Sequence, residues 1–393
     1  MNRFQPSRRM TAIRMPPIAD IMGRIAEMRA EGRTVYSLAQ AVPWYTPPKR
    51  AMEEFAEKLQ DPALHCYSPD PGFASSRRCV ARDLRDRRGI EVDPASQLHL
   101  TCGASQAFLS GLLACGSAGE TVAVIEPYYF DHVFAIKFGD MKTMSISMAE
   151  EDGGWRFPME ELRSVLPGVR VLVLVNPGNP TGAVLSDGEM RELVELTDET
   201  GTFLIIDETY ERFVYTGDHW HPWMDRQRDH VLTLGSYSKS LGMAGWRLGY
   251  LFGSGELLNQ ALKVQDSAVI CPPAPAQHLL EILIGEDEWI ETMSRGVHHR
   301  LKSCREALSG DGSLHWREAG GAFFTLAEYR GSLNSREAAL HLLNEYGIGT
   351  IPGSAFGSAG EGHLRISFGC LKDRDVDAAM EILSMVTFPR AGS

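Results

Sequence analysis

The sequence predicts an α/β protein in which a large domain with a doubly wound, mostly parallel sheet is joined to a small α+β domain. Three observations predict this. The chain has 393 residues, which is more than one domain usually holds. From about residue 97 short apolar runs alternate with longer helical segments. Runs such as Val171–Val175 are apolar on both faces, as in strands that helices cover from both sides.

The elements of the large domain follow from hydrophobic periodicity and from helix-capping signals. A capping box, in which Ser186 is followed three residues later by Glu189, fixes the start of one helix. The predicted strands are Leu98–Thr101, Val122–Glu126, Val171–Val175, Phe203–Asp207, Val231–Leu234 and Leu248–Phe252. The predicted helices include Lys49–Leu59, Ala104–Cys115, Ser186–Thr200 and Gly255–Ile270.

The two ends of the chain are predicted to form the small domain together. We assign residues 46–284 to the large domain, and residues 1–45 and 285–393 to the small domain with an N-terminal arm. Apolar residues at helical spacing begin at Ile18, and Gly32 lies just past the end of that segment. A long polar helix at Asp287–Ser309 leads into strand-like segments, with the helix Ser335–Tyr346 between them.

Composition excludes several classes of partner. The net charge of −12, with no basic tract, argues against nucleic acid or an anionic membrane as a main partner. No apolar run is long enough to span a bilayer, and the N-terminus lacks the apolar core of a secretory signal. Seven scattered cysteines without a CxxC pair indicate reduced thiols, so we expect a cytoplasmic protein. His219 and His221 lack further ligands, so no metal is expected.

The stretch Val231–Gly249 carries the most specific chemical signal. Lys239 lies among small residues, and a lysine amine is a nucleophile when desolvation or a cationic neighbour lowers its pKa. Ser236 and Arg247 flank it and offer the hydroxyl and the planar cation that a phosphate needs. A lysine beside a phosphate site suggests pyridoxal phosphate (PLP) held as a Schiff base. From this stretch alone, a surface lysine after a strand is an equal alternative.

Two further motifs place polar groups after buried strands. Asp207 ends an apolar strand, where a carboxylate would keep a pyridine nitrogen protonated. Asn179 lies in the rigid turn NPGNPTG, and its amide would donate to a phenolate oxygen, as would Tyr210. Taken alone, the aspartate is better explained as a helix cap, and the Asn179 segment as a tight turn.

Three weaker signals fit the same site. Gly103, Ala104 and Ser105 lead from a strand into a helix, where backbone N–H groups bind phosphate. Tyr129 follows a strand and would stack on a flat ring. Arg365 alternates with apolar residues and would bind a carboxylate through two nitrogens. The alternatives are an ordinary turn, a core aromatic residue and a solvated arginine.

Together the motifs NPGNPTG, DETY, SYSKSLGMAGWRLGY and LRISFG resemble the class I/II aminotransferase family of fold-type I PLP-dependent enzymes, in family order and near family spacing. The resemblance implies a large sheet of the seven-stranded type and a catalytic set of Lys239, Asp207 and Tyr210. It implies that the cofactor is bound by these three and by Gly103, Ala104, Ser105, Tyr129, Asn179, Ser236 and Arg247. Arg365, with Asn179, would bind the substrate carboxylate.

The resemblance also implies a homodimer with shared active sites, because Tyr67 matches a tyrosine that reaches the phosphate of the partner subunit. One departure concerns the substrate. Ala41 stands where the family usually has glycine against the substrate carboxylate, and the polar Gln40 precedes it. We therefore predict that Ala41 and Gln40 contribute to substrate binding.

The predicted function is transfer of an amino group between an L-amino acid and a 2-oxo acid. Two alternatives stay open. The first is a PLP-dependent lyase or an oxidative deaminase or decarboxylase acting on a substrate derived from an amino acid, which the unusual loop around Ala41 favours. The second is a non-enzymatic PLP-sensing module of a regulator. That role calls for a DNA-binding extension, and the N-terminus has neither the length nor the charge for one.

Overall fold

The computed structural model describes residues 5–217, 219–310 and 312–390. No helix in these ranges is both long enough and apolar enough to cross a membrane. The helices are α1 (Arg8–Thr11), α2 (Ile18–Ala30), α3 (Lys49–Lys58), α4 (Ala74–Arg88), α5 (Ala104–Cys115), α6 (Phe130–Phe138), α7 (Met159–Val165), α8 (Asp187–Thr200), α9 (Tyr237–Ser240), α10 (Gly255–Val269), α11 (Ala274–Leu283), α12 (Asp287–Leu308), α13 (Ser335–Tyr346) and α14 (Asp373–Ser384). The strands are β1 (Tyr36–Ser37), β2 (Leu98–Thr101), β3 (Thr121–Glu126), β4 (Lys142–Ser147), β5 (Ala149–Glu151), β6 (Gly154–Arg156), β7 (Val171–Val175), β8 (Phe203–Asp207), β9 (Val231–Ser236), β10 (Gly249–Phe252), β11 (Leu314–His315), β12 (Thr325–Tyr329), β13 (Ile348–Gly349), β14 (Ile351–Pro352) and β15 (His363–Ile366).

The large sheet has seven strands in the order β2-β10-β9-β8-β7-β3-β4. Strand β10 runs antiparallel to both of its neighbours, and the other pairs are parallel. This confirms the predicted mostly parallel sheet. The strand that the hydrophobic pattern did not identify is β4, which lies at the edge of the sheet. Of its six side chains only Ile146 is buried, so the segment has no apolar run.

Two hydrophobic clusters cover the two faces of this sheet, and strand alternation assigns residues to them. Leu172 and Leu174 of β7 belong to one cluster, and Val171 and Val173 belong to the other. Helices α5 and α10 supply residues to the second cluster, and α8 and α11 to the first. Burying a valine or leucine side chain contributes roughly 1.5–3 kcal/mol. A strand that is apolar on both faces is therefore stable only between two layers of helix.

A separate core contains residues from both ends of the chain. Ile21, Ile25 and Met28 of α2 pack in the same cluster as apolar residues of the four-stranded antiparallel sheet β11-β12-β15-β14. Strand β1 pairs in parallel with β13. Helix α12 contacts both the large domain and this separate core, because Trp289 packs against a cluster of the large domain and Val297 belongs to the separate core. The boundaries at residues 45/46 and 284/285 stay a prediction.

The capping box predicted at Ser186 is present. The Ser186 hydroxyl accepts a hydrogen bond from the Glu189 backbone N–H at 3.3 Å, and the Glu189 carboxylate accepts one from the Ser186 backbone N–H at 2.9 Å. Both bonds satisfy donors that a helix start otherwise leaves unpaired.

We expect Ser186→Ala to lower the free energy of unfolding by about 1 kcal/mol, because the helix loses its N-cap acceptor. Urea denaturation followed by circular dichroism measures the change. Ser303→Ala is the matched control, since Ser303 lies inside α12 and its hydroxyl donates to the carbonyl of His299. The control should change the unfolding free energy by less than about 0.5 kcal/mol. An equal effect of the two substitutions would contradict the assigned cap.

Candidate active site

A cavity of about 210 Å³ opens where three neighbouring parallel strands end. Val175, Asp207 and Ser236 are the last residues of β7, β8 and β9, and all three line it. The start of α5 forms another wall. The lining residues are Ala104, Ser105, Phe108, Tyr129, Asp131, His132, Val175, Asn179, Asp207, Thr209, Tyr210, Ser236, Ser238, Lys239 and Arg247. Ligands in α/β proteins bind beyond the carboxyl ends of strands, so this is the expected place for a site.

Lys239 extends from the short helix α9, which follows β9 directly. Its Nζ donates a hydrogen bond of 2.6 Å to the backbone carbonyl of Ala41. Burial lowers the pKa of this amine to about 8, and the positive charges of Arg365 and Arg247 add to the effect, while Asp207 opposes it. A substantial fraction of the amine is therefore neutral near pH 8, as a nucleophile or a proton acceptor requires.

Asp207 is fixed by contacts to both of its carboxylate oxygens. The backbone N–H of Thr209 donates to Oδ1 at 2.9 Å, and Nε2 of His132 lies 3.1 Å from Oδ2. The His132 ring stacks on Phe108, with ring centroids 4.0 Å apart. The orientation of the carboxylate is therefore set before any ligand binds. No sequence motif marks His132, although it follows Tyr129 by three residues and lies in the first turn of α6.

The start of α5 faces the side chains expected to bind phosphate. Gly103, the residue before α5, has φ 79°, and no side chain caps the helix. A Cβ at Gly103 would lie 2.7 Å from Nη2 of Arg247 and would displace that guanidinium, and the positive φ also favours glycine. Ala104, Ser236 and Arg247 line the cavity here. Uncapped backbone donors, a hydroxyl and a guanidinium together match the chemistry of a phosphate group.

Arg365 lies on β15 of the small domain and is buried. Its Nη1 donates to the side-chain oxygen of Asn179 at 3.1 Å, and its Nη2 donates to the carbonyl of Ala39 at 2.7 Å. The guanidinium carbon lies 5.4 Å and 5.0 Å from the ring centroids of Phe324 and Phe356. Since the Asn179 oxygen is bonded to Arg365, the Asn179 NH₂ group stays available to a ligand.

Of the remaining predicted residues, some line the cavity and others do not. Tyr210 is buried in its wall, and Tyr129 also lines it, with its hydroxyl donating to Asp131 at 2.7 Å. Gln40 is exposed and lines a separate surface cleft instead. Tyr67 is 78% exposed and does not line the cavity. The roles predicted for Gln40 and Tyr67 therefore stay predictions.

His219 and His221 belong to a buried network behind the site. Arg88 donates to both carboxylate oxygens of Glu208, at 2.6 Å and 3.1 Å, and Nε2 of His219 lies 3.0 Å from Nδ2 of Asn176. Burial of Glu208 opposes its charged form, but Arg88 and the two histidines outweigh it, so its pKa falls to about 2. Among the described residues, no three His, Cys, Asp or Glu side chains are grouped as a metal ion would need.

Comparisons with known proteins identify one family by sequence and by fold. The family model described as aminotransferase class I and II matches residues 33–383. An aromatic aminotransferase of Arabidopsis thaliana is 31% identical over 383 residues, which cover 95% of this chain and 94% of that protein. An aromatic-amino-acid aminotransferase of Thermococcus litoralis is 29% identical, over 91% of this chain and 95% of that one. The structure of a Thermus thermophilus aspartate aminotransferase double mutant superposes with a TM-score of 0.89, at 26% identity, and covers 97% of this chain and 99% of that one.

The fold and the contents of the cavity define a fold-type I PLP-dependent enzyme. The chain belongs to the class I/II aminotransferase family. It is a PLP-dependent transferase that moves an amino group between an L-amino acid and a 2-oxo acid. The residues present fit the cofactor, since a fixed carboxylate, a buried amine and an uncapped helix start line one cavity.

We expect the rate at which cofactor-free protein captures PLP to rise with pH with a midpoint near 8, rather than near the 10.5 of an ordinary lysine. In the role predicted for Lys239 only its neutral amine would react with an aldehyde, and the lowered pKa makes that form available at lower pH. The amount of covalently attached cofactor, trapped with borohydride at timed intervals, measures the rate.

Arg365→Met removes one of the two cations that lower this pKa, so the midpoint should move to higher pH. The matched control is Arg78→Met, which removes an exposed arginine of α4. A wild-type midpoint near 10.5, or equal shifts in the two variants, would contradict the electrostatic account.

Proposed function

We propose that Lys239 is the residue that binds the cofactor covalently and later carries the proton between donor and cofactor carbons. The observation that supports this most directly is that a buried amine with a pKa of about 8 shares one cavity with a fixed carboxylate, that of Asp207. When bound, PLP supplies the electron sink that makes the Cα–H bond of an amino acid acidic. Asp207 keeps the pyridine nitrogen protonated, and His132 holds that carboxylate in place.

The other predicted residues divide between the cofactor and the substrate. Gly103, Ala104, Ser105, Ser236 and Arg247 bind the phosphate in this proposal. Asn179 and Tyr210 hydrogen-bond the phenolic oxygen, and Tyr129 packs against the ring.

Arg365 binds the α-carboxylate of the amino acid through its guanidinium, which β15 and the two phenylalanine rings hold in place. The position of Ala41 supports a substrate role as well, because its carbonyl lies 2.6 Å from the Lys239 amine, next to the proposed reacting group. Gln40 would act on the substrate only indirectly, through the loop that carries both residues.

The test is a screen of amino donors on the cofactor-loaded protein, with and without a 2-oxo acid acceptor. Steady turnover should need the acceptor, and each amino acid consumed should yield one 2-oxo acid. Lys239→Ala should lower kcat by about 10²–10⁴-fold, because it removes the group that carries the proton. Lys239→Arg is the matched control that keeps the positive charge. Steady release of ammonia, CO₂ or peroxide without acceptor would instead indicate the lyase or oxidative alternative.

We also propose that the protein works as a cytoplasmic homodimer with shared active sites. The side chain of Tyr67 on the large domain supports this, because it is 78% exposed and so is free to reach a partner subunit. All seven cysteines are free thiols, which suits a reducing compartment.

Mixing two impaired variants tests whether the active sites are shared. We expect Lys239→Ala and Tyr67→Ala proteins, dissociated and reassociated in equal amounts, to recover about a quarter of wild-type activity. Half of the dimers would be mixed, and one of the two sites in each would be intact. Activity and sedimentation velocity are measured on the same samples. Dimers that exchange subunits without any recovery would contradict a shared site.

A further inference from the structure

Asp131 is a carboxylate in the wall of the cavity to which the proposed function gives no role. It lies in the first turn of α6, two residues after Tyr129, and it is partly exposed. The Tyr129 hydroxyl donates to its Oδ2 at 2.7 Å. A hydrogen bond from a neutral phenol leaves the negative charge of the carboxylate in place. The cavity wall therefore carries an anion beside Tyr129, the residue proposed to pack against the cofactor ring.

The other charged side chains that line the cavity either bond to neighbouring groups or have a role in the proposed function. Asp207 is bound by Thr209 and His132. Of the described lining residues, only Lys239 and Arg247 carry a basic amine or guanidinium. Lys239 is the reacting amine in the proposed function, and Arg247 lies at the phosphate end. This chain thus offers no further lysine or arginine in the described cavity wall for a second carboxylate of a substrate.

A series of aromatic rings runs from Tyr129, which donates to Asp131, to the arginine proposed to bind the α-carboxylate. The ring centroid of Phe130 lies 5.0 Å from that of Tyr129 and 6.1 Å from that of Phe356. Phe356 lies 5.0 Å from the Arg365 guanidinium carbon. A substrate held by Arg365 therefore has an aromatic surface beside it. Charges near such a surface interact more strongly than in water, because the local dielectric constant is lower.

We propose that Asp131 determines which amino donors the enzyme accepts: its charge rejects a second carboxylate, and the aromatic rings beside it favour a neutral side chain. The inference rests on the proposed function, because it names the donor class of that same site.

The experiment measures equilibrium binding, so that it does not depend on turnover. Cofactor-loaded wild-type and Asp131→Asn proteins are titrated with succinate, a dicarboxylate, and with 3-phenylpropionate, a monocarboxylate with an aromatic ring. Asparagine keeps an oxygen that accepts from Tyr129 and removes the charge. We expect Asp131→Asn to bind succinate about tenfold or more tightly than wild type, and 3-phenylpropionate almost unchanged. The relative kcat/KM for aspartate against phenylalanine should rise by a similar factor.

Two control variants test whether the change in binding comes from the charge of Asp131. Asp140→Asn removes a negative charge just past the other end of α6 and should leave both affinities unchanged. Tyr129→Phe keeps the Asp131 charge and should not improve succinate binding relative to 3-phenylpropionate. Equal changes for the two ligands in Asp131→Asn, or none, would overturn the proposal. A protein that binds both ligands as expected but transfers no amino group would support Asp131 as the selector and contradict the proposed function instead.

Discussion

The site depends on the pairing of β8 with β9. These strands run parallel, with Asp207 opposite Leu234, so both carboxyl ends reach the same edge of the sheet. Asp207 ends the first strand, and Lys239 follows the second by one turn of helix. An acid and an amine that are 32 positions apart in sequence thus line one cavity without a long loop to position them. Because both strands are buried on both faces, neither can slip in register without exposing its apolar side chains.

The surroundings of these two groups are rigid for identifiable reasons. The Arg88–Glu208 ion pair lies directly behind Asp207 and is almost fully buried. His219 connects this pair to Asn176, which begins the turn that carries Asn179. Removing one member of such a pair leaves an uncompensated buried charge, which is strongly destabilising. The network therefore couples the strand that ends in Asp207 to the turn that presents Asn179, although none of its members lines the cavity.

Much of the fold and part of the site follow from the sequence because they depend on local patterns. The strand Phe203–Asp207 and the helix Ala104–Cys115 have the predicted bounds, since apolar runs and a glycine before the helix mark their ends. Lys239 and Arg365 stand in specific motifs. In contrast, His132 and Asp131 have no motif of their own, and their importance arises only when the fold brings the start of α6 to Asp207 at the end of β8. For Gln40 and Ala41 the sequence does not determine which way each residue faces: the carbonyl of Ala41 contacts Lys239, and the Gln40 side chain is exposed to solvent.

The central claim is that the amine facing Asp207 is the one that holds the cofactor, and a labelling experiment tests it directly. The PLP-loaded protein is reduced with borohydride, digested and analysed by mass spectrometry. The account predicts one pyridoxyl group per chain, on the peptide that contains Lys239. A label on any other lysine, or a loaded protein from which reduction leaves no label attached, would contradict it.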